Sequence, residues 1–142
     1  MQVFLPYPDF EKSVQCLDPK RLGNQIYREC LTIIRGGWPN HPVAKMWRGY
    51  ECALARYALF GLAELSRRGR HYPHHVATFS EYLNNGSQMP PWLGDLAFHA
   101  SHRAALLYKD WNWYSKFGWQ EQPAVPNTKG KLPYVWPKVN IK

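Results

Sequence analysis

The chain has 142 residues, with 18 Lys+Arg against 10 Asp+Glu and a formal net charge of +8 with histidines neutral. That length accommodates one domain, residues 1–142, with a core that needs no disulfide or metal staple. A 45% hydrophobic content with seven Trp, nine Tyr and six Phe excludes a disordered or low-complexity chain. The longest apolar stretch, residues 53–65, is broken by Arg56 and Glu64 and is shorter than the ~18 to 20 residues of a bilayer span, so no membrane partner is expected.

In chain order, Met1-Gln2-Val3-Phe4-Leu5-Pro6 shows no basic flank followed by an apolar run, the mark of a secretory signal, and the expected location is the cytoplasm. Pro6 and Pro8 keep the first ten residues extended. The first helix is predicted to start at Asp18-Pro19, an N-cap followed by proline at the first helical position, and to stop at Gly36-Gly37. A second runs from Asn40-His41-Pro42 to about Arg68-Gly69. Val43, Met46, Trp47, Tyr50, Leu54, Tyr57, Gly61 and Leu65 keep helical spacing along it. Further apolar residues around it, among them Ala53, Ala58, Phe60 and Leu62, predict a central helix covered on more than one side. A short helix is predicted over 73–83, ended by Asn84-Asn85-Gly86, and another from Asp95 to about Lys109. Beyond Gly118, four prolines predict an irregular tail laid over the body through Leu132, Tyr134, Val135 and Trp136. No alternating strand pattern is present, so the class is all-α. Cys16, Cys30 and Cys52 form no CxxC pair and read as buried, reduced thiols.

The positive charge favours a polyanion such as nucleic acid. Lys45 and Arg48 flank Met46-Trp47, and Lys109 and Lys116 bracket Trp111, Trp113 and Tyr114, where exposed rings would stack on bases while cations hold phosphates. On a helical wheel Glu29 falls in one stripe with Leu22, Ile26 and Ile33, so a carboxylate interrupts a face that should be buried. It is either a salt-bridged core residue, paired with Arg28, Arg103 or His99, or an acid/base whose burial raises its pKa. Arg21, Gln25, Arg28 and Thr32 line the neighbouring stripe and suit an anionic substrate. His71, His74 and His75 cluster, and His99 and His102 share a face, but neither HExxH nor ligand-spaced cysteines are present, and no metal or other cofactor is expected. His102-Arg103 also reads as a phosphate contact.

Several segments together resemble the pyrimidine-dimer DNA glycosylases typified by the phage enzyme endonuclease V. These are Tyr27-Arg28-Glu29; His41 leading into a long helix that ends Ala63-Glu64-Leu65-Ser66-Arg67-Arg68-Gly69; Gly94-Asp95, Ala100-Ser101, Arg103 and Leu106; and Trp113-Tyr114 followed by Gly118. Phrases such as Asn40-His41-Pro42, Met46-Trp47-Arg48-Gly49 and Pro91-Trp92-Leu93-Gly94-Asp95 resemble a bacterial and phage branch of that family. The resemblance implies a compact all-α enzyme whose N-terminal segment threads between helices and places its α-amine in the active site. It implies an N-glycosylase with abasic-site lyase activity on a damaged or modified pyrimidine, by default an ultraviolet pyrimidine dimer. The partner is double-stranded DNA, and the protein is expected to be a monomer. By the same resemblance Met1 supplies the amine, Glu29 is the acid/base and Arg28 holds a phosphate. The family nucleophile is a threonine exposed by methionine removal, whereas Gln2 here is too large for that removal. Gln2 and Thr32 stand where the prototype has arginines. Candidate DNA contacts are then Gln2, Arg21, Gln25, Arg28, His41, Lys45, Arg48, His102, Arg103, Lys109, Trp113, Tyr114 and Lys116. Two competing readings are a non-catalytic binding protein of the same fold and a metal-dependent nuclease.

Overall fold

The structure, a computed structural model, describes residues 2–137 and is helical, with no strand among them. The elements are α1 (Phe10–Cys16), α2 (Pro19–Asn24), a π-helical segment (Gln25–Cys30), α3 (Leu31–Ile34), α4 (Pro42–Trp47), α5 (Glu51–Arg67) and α6 (Pro73–Ser80). A 3₁₀ turn (Glu81–Asn85), α7 (Leu96–Lys109), α8 (Trp111–Tyr114) and a second 3₁₀ turn (Ser115–Phe117) follow. No helix among the described residues is long and apolar enough to cross a membrane.

Helix α5 is the centre of the core. Its residues Cys52 to Ala55, Tyr57, Ala58, Leu62 and Leu65 are all buried, as a helix covered on several sides requires. Gly61 allows the helix carrying Glu29 to approach closely, because a Cβ there would lie 2.6 Å from Ile26 Cδ1. All three cysteines are free and buried.

Three features depart from the sequence reading. Helix α1 falls in a region expected to be extended at its start and unassigned thereafter. Asp9 caps it by accepting from Lys12 N–H (2.9 Å), and Phe10 and Val14 pack inward at i, i+4, a pattern too short to stand out as periodic. The single long helix expected over 42–69 is two, parted at Arg48-Gly49-Tyr50, where Gly49 takes φ +86°. A helical wheel reads straight through such a break, since the apolar spacing resumes at Leu54. The first predicted helix does run through 19–34, but its middle is π-helical, with Leu31 N–H donating to Ile26 C=O five residues back.

Residues 2–6 are buried and extended, held by side chains from three elements. Phe4 N–H donates to Gln25 Oε1 (2.6 Å), and Gln25 Nε2 donates to the Gln2 carbonyl (2.9 Å). Tyr57 Oη donates to the Phe4 carbonyl (2.7 Å), and Arg103 donates to the Pro6 carbonyl (2.8 Å). His102 Nδ1 accepts from Leu5 N–H (2.8 Å), and His99 Nδ1 meets the Leu5 carbonyl (2.7 Å) while its Nε2 accepts from Gly94 N–H (2.9 Å). An extended segment buried without a sheet partner needs its backbone groups satisfied in this way.

His102 carries a pH consequence. Full burial pushes its imidazole down to about 3, with the His99 charge adding to the shift, and its acceptor role fixes the neutral ring. In the unfolded chain the same ring takes up a proton near ~6.5. As pH falls from that value towards 3, the unfolded state binds a proton that the folded state refuses, and stability is lost by up to about 1.4 kcal/mol per pH unit from this group. Urea unfolding is expected to show a midpoint falling between pH 7 and 4. His102→Asn, which offers an Oδ1 acceptor without titrating, should flatten that slope.

Candidate active site

One cleft of about 630 Å³ combines the chemistry-bearing residues. Gln2 and Phe4 of the threaded segment line it, together with Lys20, Arg21 and Asn24 of α2, Gln25 and Glu29 of the π segment, His41 and Pro42 at the start of α4, Lys109 at the end of α7, and Gly130, Lys131, Leu132, Tyr134 and Trp136 of the tail.

Glu29 reaches the cleft because of the π segment. With more residues per turn than an α-helix, that segment keeps Ile26, Cys30 and Ile33 in the core while Glu29 is half-buried at its edge. Its Oε2 is buried and has no hydrogen-bond partner among the described residues. Burial raises its pKa above the ordinary carboxylate range, opposed by the charge of Arg28. None of the salt bridges proposed for a structural role is present. Arg103 instead holds Glu121 through two bonds (2.7 and 3.0 Å), and His99 is committed to the backbone.

Cations surround the carboxylate. Arg21 is oriented by Asp18 (3.2 Å to each oxygen), which also accepts from Tyr114 Oη. The Lys109 ammonium is pushed below the usual lysine range by partial burial and by the like charges of Arg21 and Lys20, as expected where cations crowd around space meant for an anion. His41 caps α4 by accepting from Val43 N–H at Nδ1 (3.1 Å), and burial and Lys131 lower its pKa, so it lines the cleft as a neutral ring.

Five of the candidate residues therefore share the cleft with Glu29: Gln2, Arg21, Gln25, His41 and Lys109. Met1 lies outside the described residues. Other candidates stand elsewhere. His102 and Tyr114 are fully buried, which corrects their reading as surface DNA contacts: one ring anchors Leu5 and the other Asp18. Arg103 is taken up by Glu121 and Pro6, and Arg48 donates to the Pro39 carbonyl (2.7 Å). Trp47, bracketed by Lys45 and Arg48, is core rather than a stacking platform. Trp113 is half-buried, donates from Nε1 to the Cys16 carbonyl (2.8 Å) and has Lys116 Nζ 3.7 Å over its ring. Arg28 is exposed and does not line the cleft, and neither does Lys45. Val135, expected to pack against the body, is exposed.

Residues 1–79 match the family model described as pyrimidine dimer DNA glycosylase. The chain belongs to that family. No curated protein and no solved structure matches. The matched region carries Gln25, Glu29 and the cations of α2, whereas the tail wall of the cleft and Lys109 lie beyond it. As a member of a DNA glycosylase family, the protein has damaged DNA as its implied partner.

Sequence reasoning did not single out Lys20, Asn24, Phe4, Lys131, Tyr134 and Trp136 as site residues. The tail did carry a signal. Leu132, Tyr134 and Trp136 alternate with exposed Lys131, Pro133 and Val135, the two-residue period of an extended chain with one face down.

Proposed function

We propose that this cleft is the active site of a DNA N-glycosylase with abasic-site lyase activity that cuts the glycosidic bond of one base of an ultraviolet pyrimidine dimer. The observation that carries the reading is the Glu29 carboxylate, half-buried, with Oε2 unpartnered among the described residues, and set in a cationic cleft. The α-amine of Met1 is the nucleophile. This assignment is supported by Gln2, the next residue, which lines the same cleft and whose carbonyl is held by Gln25. An α-amine has a pKa near ~8, so a useful fraction is neutral at pH 7.

The amine nitrogen bonds to C1′ as the glycosidic C–N bond breaks, and the base nitrogen keeps that electron pair and takes up a proton, the base staying tethered to its dimer partner. Loss of an amine proton and protonation of the sugar ring oxygen then open the ring to a Schiff base. Removal of a 2′ proton expels the 3′ phosphate. Glu29 shuttles these protons and steadies the cationic sugar. Lys20, Arg21, Lys109 and Lys131 hold the flanking phosphates.

Borohydride trapping tests this reading directly. The untagged protein incubated with an oligonucleotide bearing one abasic site should yield a covalent adduct mapped to Met1. A variant with an N-terminal extension should yield none, and strand cleavage should resist chelators. Absence of an adduct from protein with a verified free amine would overturn the Schiff-base assignment.

A further inference from the structure

The turn between α3 and α4 carries a tryptophan that the fold does not use. Trp38 is 60% exposed, and among the described residues it is the only one other than glycine with a positive φ, +54°. Bulky side chains rarely adopt that left-handed conformation, and a residue before proline is ordinarily extended. Three other tryptophans anchor their rings through Nε1: Trp92 on the Met46 carbonyl (3.1 Å), Trp113 on that of Cys16 and Trp119 on Tyr7 Oη (2.7 Å). Trp38 makes no such bond among the described residues. It lines neither the cleft nor a smaller hollow of about 210 Å³ bordered by its neighbours Gly36, Gly37 and Pro39.

That conformation is imposed from both sides. Gly37 N–H donates to the Thr32 carbonyl (2.9 Å), and a Cβ on Gly37 would lie 2.6 Å from Thr32 Cγ2, so the chain before Trp38 is pressed against α3. After it, His41 N–H donates to the Trp38 carbonyl (3.0 Å), closing a four-residue turn with Pro39 at its second position. The guanidinium of Arg48, itself exposed, donates to the Pro39 carbonyl (2.7 Å). A turn closed in this way keeps its two end Cα atoms within ~7 Å, and His41 lines the catalytic cleft. The exposed ring therefore stands beside the rim of that cleft on a rigid base, with exposed Arg35 three residues before it.

We propose that Trp38 is a wedge for duplex DNA, entering the base stack beside the nucleotide whose sugar is drawn to Glu29. The inference rests on the cleft being where the glycosylase acts. C1′ lies inside a duplex and Glu29 is half-buried in the protein, so the two meet only where the duplex opens. Opening forfeits base stacking, which an inserted side chain restores in part, and an aromatic ring does so beside any base. A wedge must stand clear of the body and must not fold back when DNA arrives. Exposure supplies the first property, and the clamped left-handed turn supplies the second. Arg35 and Arg48 are placed to meet nearby phosphates.

The test is equilibrium binding to an intact duplex and to one carrying a tetrahydrofuran abasic analogue. Trp38→Ala and Trp38→Gly should weaken binding to the analogue about ten-fold, as for one lost stacking contact, with an unchanged salt dependence because no phosphate contact is removed. Trp38→Phe should keep most of the affinity. Trp38→Gly also relieves the positive φ, so its thermal midpoint should equal or exceed that of wild type. 5-Iodouracil placed in turn at the bases flanking the analogue on both strands, then irradiated, should cross-link to Trp38 from at least one position. Cross-links that map elsewhere from every position, full affinity in Trp38→Ala, or a lowered midpoint in Trp38→Gly would each overturn the wedge. A wild-type protein that binds the analogue no more tightly than intact duplex would overturn the glycosylase reading and the wedge together, whereas tight binding without a Trp38 effect would overturn the wedge alone.

Discussion

Glu29→Gln is expected to lower strand cleavage at an abasic site by ~10²- to 10⁴-fold, the range contributed by a positioned acid/base. It should leave duplex affinity intact or slightly raised, because it removes a negative charge from among Lys20, Arg21 and Lys109. Its effect on stability distinguishes a functional carboxylate from a structural one. A salt-bridged Glu29 would lose partners on substitution and the protein would melt lower. Here Oε2 has no partner among the described residues, and burial raises the pKa. The folded state therefore binds the carboxyl proton more tightly than the unfolded chain does. The ionised form costs folding free energy above that raised pKa, and a neutral amide relieves the cost. Thermal melting at pH 7.5 should show a midpoint unchanged or higher for Glu29→Gln, alongside the collapse of single-turnover cleavage. A lowered midpoint with cleavage retained would return Glu29 to a structural role. Sites held at some expense to folding are expected where function needs them.

Glu29 also shows how much of the site the sequence made legible. Its residue type in an apolar stripe is visible from spacing alone, and so are Arg21 and Arg28 on the neighbouring stripe. What spacing does not reveal is that Gln25–Cys30 winds as a π-helix, since that depends on the i→i−5 bond from Leu31 to Ile26 and on the close seat of Ile26 against Gly61. The wheel placed Glu29 in the core, and the wider turn moves it to the rim of the cleft. The all-α class and the Asp95 cap of α7 followed from local signals, because caps and prolines act within a few residues. His102, Tyr114 and the tail rings were harder. Each is decided by a partner some hundred positions away: Leu5 for His102, Asp18 for Tyr114, Phe4 for Tyr134. A polar ring with one distant backbone partner looks, in sequence, the same as a polar ring facing solvent.

Gln25 is the second residue whose loss should be large. One buried amide performs two opposite tasks, accepting from Phe4 N–H at Oε1 and donating to the Gln2 carbonyl at Nε2. In Gln25→Leu the Phe4 donor and the Gln2 acceptor are left buried and unpaired. At ~1 to 3 kcal/mol for each unsatisfied group, the loss should total about 2–6 kcal/mol, read as a fall in the urea midpoint. Activity should fall further than the folded fraction explains, because the loosened segment is the one that brings Gln2 to the cleft. Gln25→Glu separates the two tasks. A carboxylate still accepts from Phe4 but places negative charge against the Gln2 carbonyl, so the variant should be destabilised at pH 8. Once protonated, the new carboxyl regains a donor where Nε2 stood. Buried at this position its pKa lies above the unfolded value of ~4.3, so the folded state gains stability relative to wild type as pH falls through the raised value. Urea midpoints of Gln25→Glu and wild type are therefore expected to converge between pH 8 and 5, whereas Gln25→Leu stays low throughout. A Gln25→Glu variant that tracks Gln25→Leu at every pH would show that a protonated carboxyl restores nothing to the Gln2 carbonyl, and would overturn the two-task reading of this amide.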